Sequence, residues 1–266
     1  MEEELEFELF KRDKGNLRLT AGGVIMAQEF QKANRIIRDA IMRVGLVSEG
    51  LEGEISIGYA YGMNTDLFVY PPTMEFAKEY PLIKVTMESA PLSGLRKKLS
   101  SGELDIIFTF HFELPALPNT LHMKCHAVQA IVAMSSSHPL ANKENLTFHD
   151  FSGQTFLILG QEESLFAHSD MKDILDKLEA NDIKVRTMNG VESMLFGVRS
   201  GVGVAFLDLS LDIVHDNRYS YFLVPENHSS SVMHLVSVWK KDNLNPIVPI
   251  YLETLKENLD IDEIIG

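Results

Sequence analysis

From Gly53 to Leu259 the chain alternates short apolar runs with amphipathic stretches of helical period, a pattern that points to parallel sheets covered by helices. Strands are expected over 55–60, 82–87, 104–110, 155–159, 183–187, 202–207 and 232–239. Helices are expected over 67–80, where Pro71 and Pro72 are tolerable only near the start, and over 165–178, 191–200 and 246–259. Leu92, Leu95 and Leu99 mark one further short helix, which Gly102 ends. The polar stretch from Ser135 to Asn145, with His138-Pro139 in it, breaks the pattern and places a crossover between two α/β lobes. The reading assigns 51–134 and 231–266 to the first lobe and 135–230 to the second, and the closing helix suits either.

Ahead of the lobes the local charge reverses. Residues 9–20, LFKRDKGNLRLT, hold Lys11, Arg12, Lys14 and Arg18 against Asp13 alone. Apolar Leu9-Phe10 before a Lys14-Gly15-Asn16 turn and alternating Leu17 and Leu19 after it predict a β-ribbon, and a basic ribbon tip suits phosphate oxygens or a solvated surface alike. From Thr20, a plausible cap, the pattern becomes helical. Met26, Phe30, Ala33, Ile37, Ala40, Val44 and Val47 then fall at steps of 4, 3, 4, 3, 4 and 3, the seam of a coiled coil that needs a partner helix. A single helix packed on its own domain is the alternative, and Gly45 and Gly50 are the expected stops.

Composition narrows the function classes. With 24 Lys and Arg against 38 Asp and Glu, the net charge of −14 disfavours a broad nucleic-acid-binding face. The single Cys125 forms no intrachain disulfide. The acidic start MEEELEFELF has none of the features of a secretion signal, and no apolar run approaches a membrane span, so the expectation is a cytoplasmic protein without membrane contact.

Several stretches together resemble the LysR-type transcriptional regulators, from about Leu5 to Leu259. LFKRDKGNLRLT followed by AGG is similar to the family's wing and entry to its linker helix. GEISIGY, FAKEYP, LSSGELDIIF, HPLA, VRSGVGVAFL and VWKKDN are similar, in order, to landmarks of its effector-binding domain. The resemblance implies a two-lobed α/β domain like the type 2 periplasmic binding proteins over 51–266. A winged helix-turn-helix remnant (1–20) and a long dimerisation helix (21–50) would precede it. It implies a homodimer or tetramer with a small-molecule effector between the lobes and no cofactor. The family's major-groove helix precedes the segment matched by Leu5 to Phe10, so promoter DNA is an expected partner only if that helix lies upstream.

In open α/β sheets a ligand sits beyond the carboxyl ends of the strands, which yields a short list of candidates. Tyr61, Asn64 and Thr65 follow the first strand and lead to a helix whose N–H groups suit a carboxylate. Thr109 and His111 follow the third, Ser135 ends the strand before the crossover, and Gln161, Ser193 and Phe206 belong to the second lobe. No arginine is among them, so an anion would depend on helix termini and hydroxyls. Asp208 stands where the family commonly has proline.

Enzyme signatures are missing: GxSxG, CxxC, HExxH and GxxxxGK do not occur, and Gly201-Val202-Gly203 follows a helix instead of opening one. His122, Cys125 and His126 make a poor metal set, because on a strand Cys125 faces away from the other two. His111 and Glu113 form an acid/base pair with no expected nucleophile beside them. The remaining alternatives are a transporter's solute-binding protein, which shares the two-lobed plan, and a truncated sensor that dimerises without binding DNA.

Overall fold

The structure is a computed structural model that describes residues 7–13, 16–46, 52–178, 180–259 and 264–265. It opens with the hairpin β1 (Phe10–Asp13) and β2 (Asn16–Leu19), paired so that Lys11 lies opposite Arg18. Asp13 pairs with Asn16, so Asn16 belongs to the strand and not to the turn; Lys14 and Gly15 lie outside the described residues. Helix α1 (Ala21–Leu46) follows, with the Thr20 hydroxyl accepting from Gly23 N at 2.9 Å. The helix runs through Gly45, so that glycine does not stop it. Gly23 sits under the hairpin, where a Cβ would lie 2.0 Å from the Leu9 carbonyl oxygen, so only glycine lets helix and hairpin meet. Along α1, Phe30 and Ile37 are 42% and 58% exposed and Ala33 is also exposed. Met26 is half-buried, and the side chains of Ala40 and Val44, with Val47 and Gly50, lie outside the described residues.

The first lobe is built on β3 (Gly53–Ala60), β4 (Ile83–Ala90), β5 (Ile106–Phe110), the first part of β6 (Thr120–Ser135), and β11 (Val232–Lys240). The sheet order is β4-β3-β5-β11-β6, with parallel pairing among the first three strands and antiparallel pairing beyond. Its helices are α2 (Tyr70–Glu79), α3 (Leu92–Ser101) and α6 (Ile247–Leu259). The leucines at 92, 95 and 99 are the buried face of α3, and Pro71 and Pro72 sit in the first turn of α2, where a missing N–H costs nothing. Helix α6 joins this lobe: the buried Tyr251 meets Phe76 edge-on at 5.2 Å and shares a 2.8 Å hydrogen bond with the Thr73 hydroxyl.

The second lobe contains β7 (Thr155–Leu159), β8 (Lys184–Met188), β9 (Ala205–Asp208) and β10 (Tyr219–Leu223), with helices α4 (Leu165–Lys177) and α5 (Val191–Arg199). Strict alternation sends Phe156 and Ile158 of β7 into this lobe's own core, and Leu157 and Leu159 into the core continuous with the first lobe. Gly203 allows the approach of β7 and β9, because a Cβ there would lie 2.3 Å from the Thr155 carbonyl oxygen. That contact permits the Val204 N to Thr155 O hydrogen bond of 2.9 Å.

The long strand β6 belongs to both lobes. It pairs with β11 up to Gln129 and with β9 and β10 from Ala130 onward, so the passage between lobes lies before Ser135, where the polar sequence placed it. The apolar run 130–134 carries no local mark of this exchange, because both partners bury it equally. A bulge at Cys125 shifts the register against Leu235 and Val236, and burial pushes this thiol up to about 12.

Candidate functional site

The carboxyl ends of β3, β5, β7, β8 and β9 converge on one cavity of about 210 Å³ between the lobes. The first lobe supplies Ala60, Tyr61, Pro91, Leu92, Phe110 and Phe112; the second supplies residues including Leu159, Met171, Ser193, Phe206 and Asp208. Phe110 and Phe112 lie parallel with ring centres 5.2 Å apart, forming a flat aromatic wall.

Of the residues expected from the sequence, Tyr61, Ser193 and Phe206 line this cavity. Asn64 and Thr65 line a separate recess with Asp66, Ser89 and Asp212, and the Asn64 side chain caps the short 3₁₀ turn Thr65–Leu67. That turn intervenes before α2, so the α2 N-terminus does not follow these residues directly. Thr109 is buried within the sheet away from the cavity lining, and the Ser135 hydroxyl bonds Ser137 at 2.9 Å. Gln161 is exposed beside the site without lining it. His111 lines a neighbouring pocket with Asp170, Ser229, Ser230 and His234. Periodicity gives the strand ends but not the path of each loop beyond them.

A set of polar contacts that join the lobes was not legible in the sequence. The Glu163 carboxylate, on a residue 8% exposed in the second lobe, sits on the N-terminus of α3 in the first. It accepts from Leu92 N at 2.7 Å and from the Ser93 hydroxyl at 3.0 Å. Arg96 donates to the Glu163 carbonyl oxygen at 2.8 Å and pairs with the Glu113 carboxylate, which is 1% exposed. Ser164 donates to Glu113 while its oxygen accepts from Ala167 N at 2.9 Å, capping α4. Glu113 is therefore held by an arginine of its own lobe and a serine of the other, and it is no acid/base partner for the exposed His111. On the opposite rim, Asn64 N donates to Ser210 O at 2.6 Å and Met63 bridges Leu211.

Asp208, at the end of β9, is 3% exposed and lines the cavity. Burial pushes its carboxyl up, against the Ser210 backbone N–H and hydroxyl that both donate to Oδ1. Burial and the neighbouring Asp173 also raise Asp170 at the rim. In the adjoining pocket, His234 is lowered by burial, with Lys124 and His111 adding repulsion. His122 is lowered in the same way, by burial and then by His111 and Lys124. No group of His, Cys, Asp or Glu among the described residues is arranged to hold a metal ion.

A two-lobed α/β body with a cleft at its strand ends defines an effector-binding domain. A model of the LysR substrate binding domain matches residues 48–260, and the chain belongs to this family of transcriptional regulators. It is 24% identical over 254 residues to the HTH-type transcriptional regulator AlsR of Bacillus subtilis, covering 95% of this chain and 82% of that protein. The crystal structure of CbnR, a LysR family transcriptional regulator, superposes with a TM-score of 0.70 at 14% identity, over 97% of this chain and 86% of CbnR. The effector-binding domain of QuiR in complex with shikimate gives a TM-score of 0.64 at 13% identity, over 79% of this chain and 98% of that domain. At such identities the structural likeness speaks for the fold, and it agrees with the two-lobed architecture expected from the sequence.

Proposed function

We propose that this chain is the sensing and dimerising part of a LysR-type transcription regulator, and that a small molecule between the lobes is its signal. The observation that carries this reading is the cavity itself, lined from both lobes, so that a ligand touching both walls binds one lobe arrangement more tightly than another. Differential affinity of this kind is what shifts a conformational equilibrium; no chemical step on the ligand is required. The crossings at Gln129–Ala130 and at 224–232 are the hinge for that shift.

In this reading α1 pairs with α1 of a second copy through Met26, Phe30, Ala33, Ile37, Ala40 and Val44, and the exposure of Phe30, Ala33 and Ile37 in the single chain supports it. Lys11, Arg12, Lys14 and Arg18 of the hairpin meet DNA phosphates; Lys11 and Arg18 are exposed on adjacent strands, while Lys14 and the Arg12 side chain lie outside the described residues. The domain limits 1–20, 21–50 and 51–266 belong to the same proposal. So does a cytoplasmic location, consistent with the finding that no described helix is long and apolar enough to cross a membrane.

The test is a thermal-unfolding screen of small metabolites against the chain, in which a cleft ligand raises the melting temperature with the logarithm of its concentration relative to its Kd. Ligands that raise it equally in a variant whose cavity is filled, Ala60→Trp, would place binding elsewhere and overturn the assignment.

A further inference from the structure

We propose that the cleft ligand is an amine carried on an apolar, aromatic body, and that Asp208 is its counter-charge; this rests on the cleft being the sensing site. Among the described residues lining the cavity, the charged ones are Glu163, Asp170, Glu192 and Asp208, all acids. The N-terminus of α3 is already filled by the Glu163 carboxylate, bonded to Leu92 N and Ser93, and the N-terminus of α5, where Val191 and Ser193 line the cavity, carries the acid Glu192 in its first turn. Arg96, the nearest guanidinium to that position, is committed to Glu113 and to the Glu163 carbonyl. An anionic ligand would thus face four acids with no basic side chain among the described residues that line the cavity.

The same walls suit a cation. The stacked Phe110 and Phe112 offer aromatic surface beside the acids, the combination that holds ammonium groups by their attraction to ring faces. Asp208 Oδ1 accepts from the Ser210 N–H and hydroxyl, which fixes the carboxylate, while Oδ2 has no hydrogen-bond partner among the described residues. A carboxylate this deeply buried gains most from a cation delivered directly to its free oxygen.

The experiment uses three probes of like size at pH 7.5: 2-phenylethylamine, 2-phenylethanol and 3-phenylpropanoate, each at ~10 mM against the whole chain. The amine is expected to raise the melting temperature by about 3 °C, the alcohol by less than half of that, and the acid not at all. Asp208→Asn, which keeps an acceptor for Ser210, is expected to weaken amine binding roughly tenfold and leave the alcohol unchanged. The charge series on the unaltered chain stands even if this variant folds poorly. If the acid or alcohol matches the amine, or the variant keeps the full difference, the assignment of charge falls while the sensing cleft stands. If none of the three raises the melting temperature and the metabolite screen also finds no cleft ligand, both fall.

Discussion

Replacing Glu163 by alanine tests whether the contact between the lobes sets their arrangement. The carboxylate makes hydrogen bonds of 2.7 Å to Leu92 N and 3.0 Å to the Ser93 hydroxyl. Hydrogen bonds to a charged group each contribute about 1.5–3 kcal/mol, and a charge at a helix terminus adds roughly 0.3–1 kcal/mol. These terms do not add fully, and water in the adjacent cavity can reach Leu92 N once the carboxylate is gone, so the net loss is about 2–3 kcal/mol. For a domain of this size that is a fall of roughly 4–10 °C in melting temperature. Hydrogen exchange supplies the local readout: the Leu92 amide should lose protection, while amides of the β3–β5 pairing keep theirs. Glu163→Gln should fall between the two, since it retains one acceptor without the charge. A variant that melts within about 1 °C of the parent and exchanges Leu92 at the parental rate would show that the lobes are held by their apolar contact alone.

Four further outcomes follow from the same geometry. Gly23→Ala drives a Cβ into the Leu9 carbonyl, so limited proteolysis should release the hairpin segment while the melting of the lobes stays unchanged. Phe30→Asp or Ile37→Asp, each on the exposed face of α1, should convert a dimer to a monomer in light scattering without lowering the melting temperature of the lobes. Because the folded-state carboxyl of Asp208 is raised, its contribution favours folding at low pH and is lost as pH rises from the unfolded carboxylate range through the folded value. Asp208→Asn should therefore be the more stable protein at neutral pH, with the gap closing near pH 4, measured by denaturant titration at both pH values. The buried Cys125 should resist a thiol reagent at pH 8 in the native protein and react with one equivalent after denaturation.

The parts of the molecule that depend on local pattern could be read directly. The leucines at 92, 95 and 99, the strand 155–159 and the helix 165–177 stand where periodicity put them, because their side chains face one core and the period reports it. Strand β10, Tyr219–Leu223, was missed: four of its five residues are aromatic or leucine, but it follows a polar loop and lies at a sheet edge with little burial contrast. Asp208 did leave a trace, as an acid closing the apolar run 202–207. Glu163 left none, since a glutamate in a polar loop reads as solvent-exposed until a helix terminus from another part of the chain is brought onto it.

What the sequence determined by itself is the α/β class, the positions of most strands and helices, the basic hairpin, the apolar seam of α1 and the family, since each is written in neighbouring residues or in the order of motifs. What only the tertiary structure decided is which lobe receives α6, where β6 changes partners, and how the cleft is charged. Those depend on residues distant in sequence, such as Glu163 and Leu92 or Asn64 and Ser210, whose meeting is set by the packing of whole sheets. A carboxylate's role follows from what surrounds it in space, and local pattern carries no record of that.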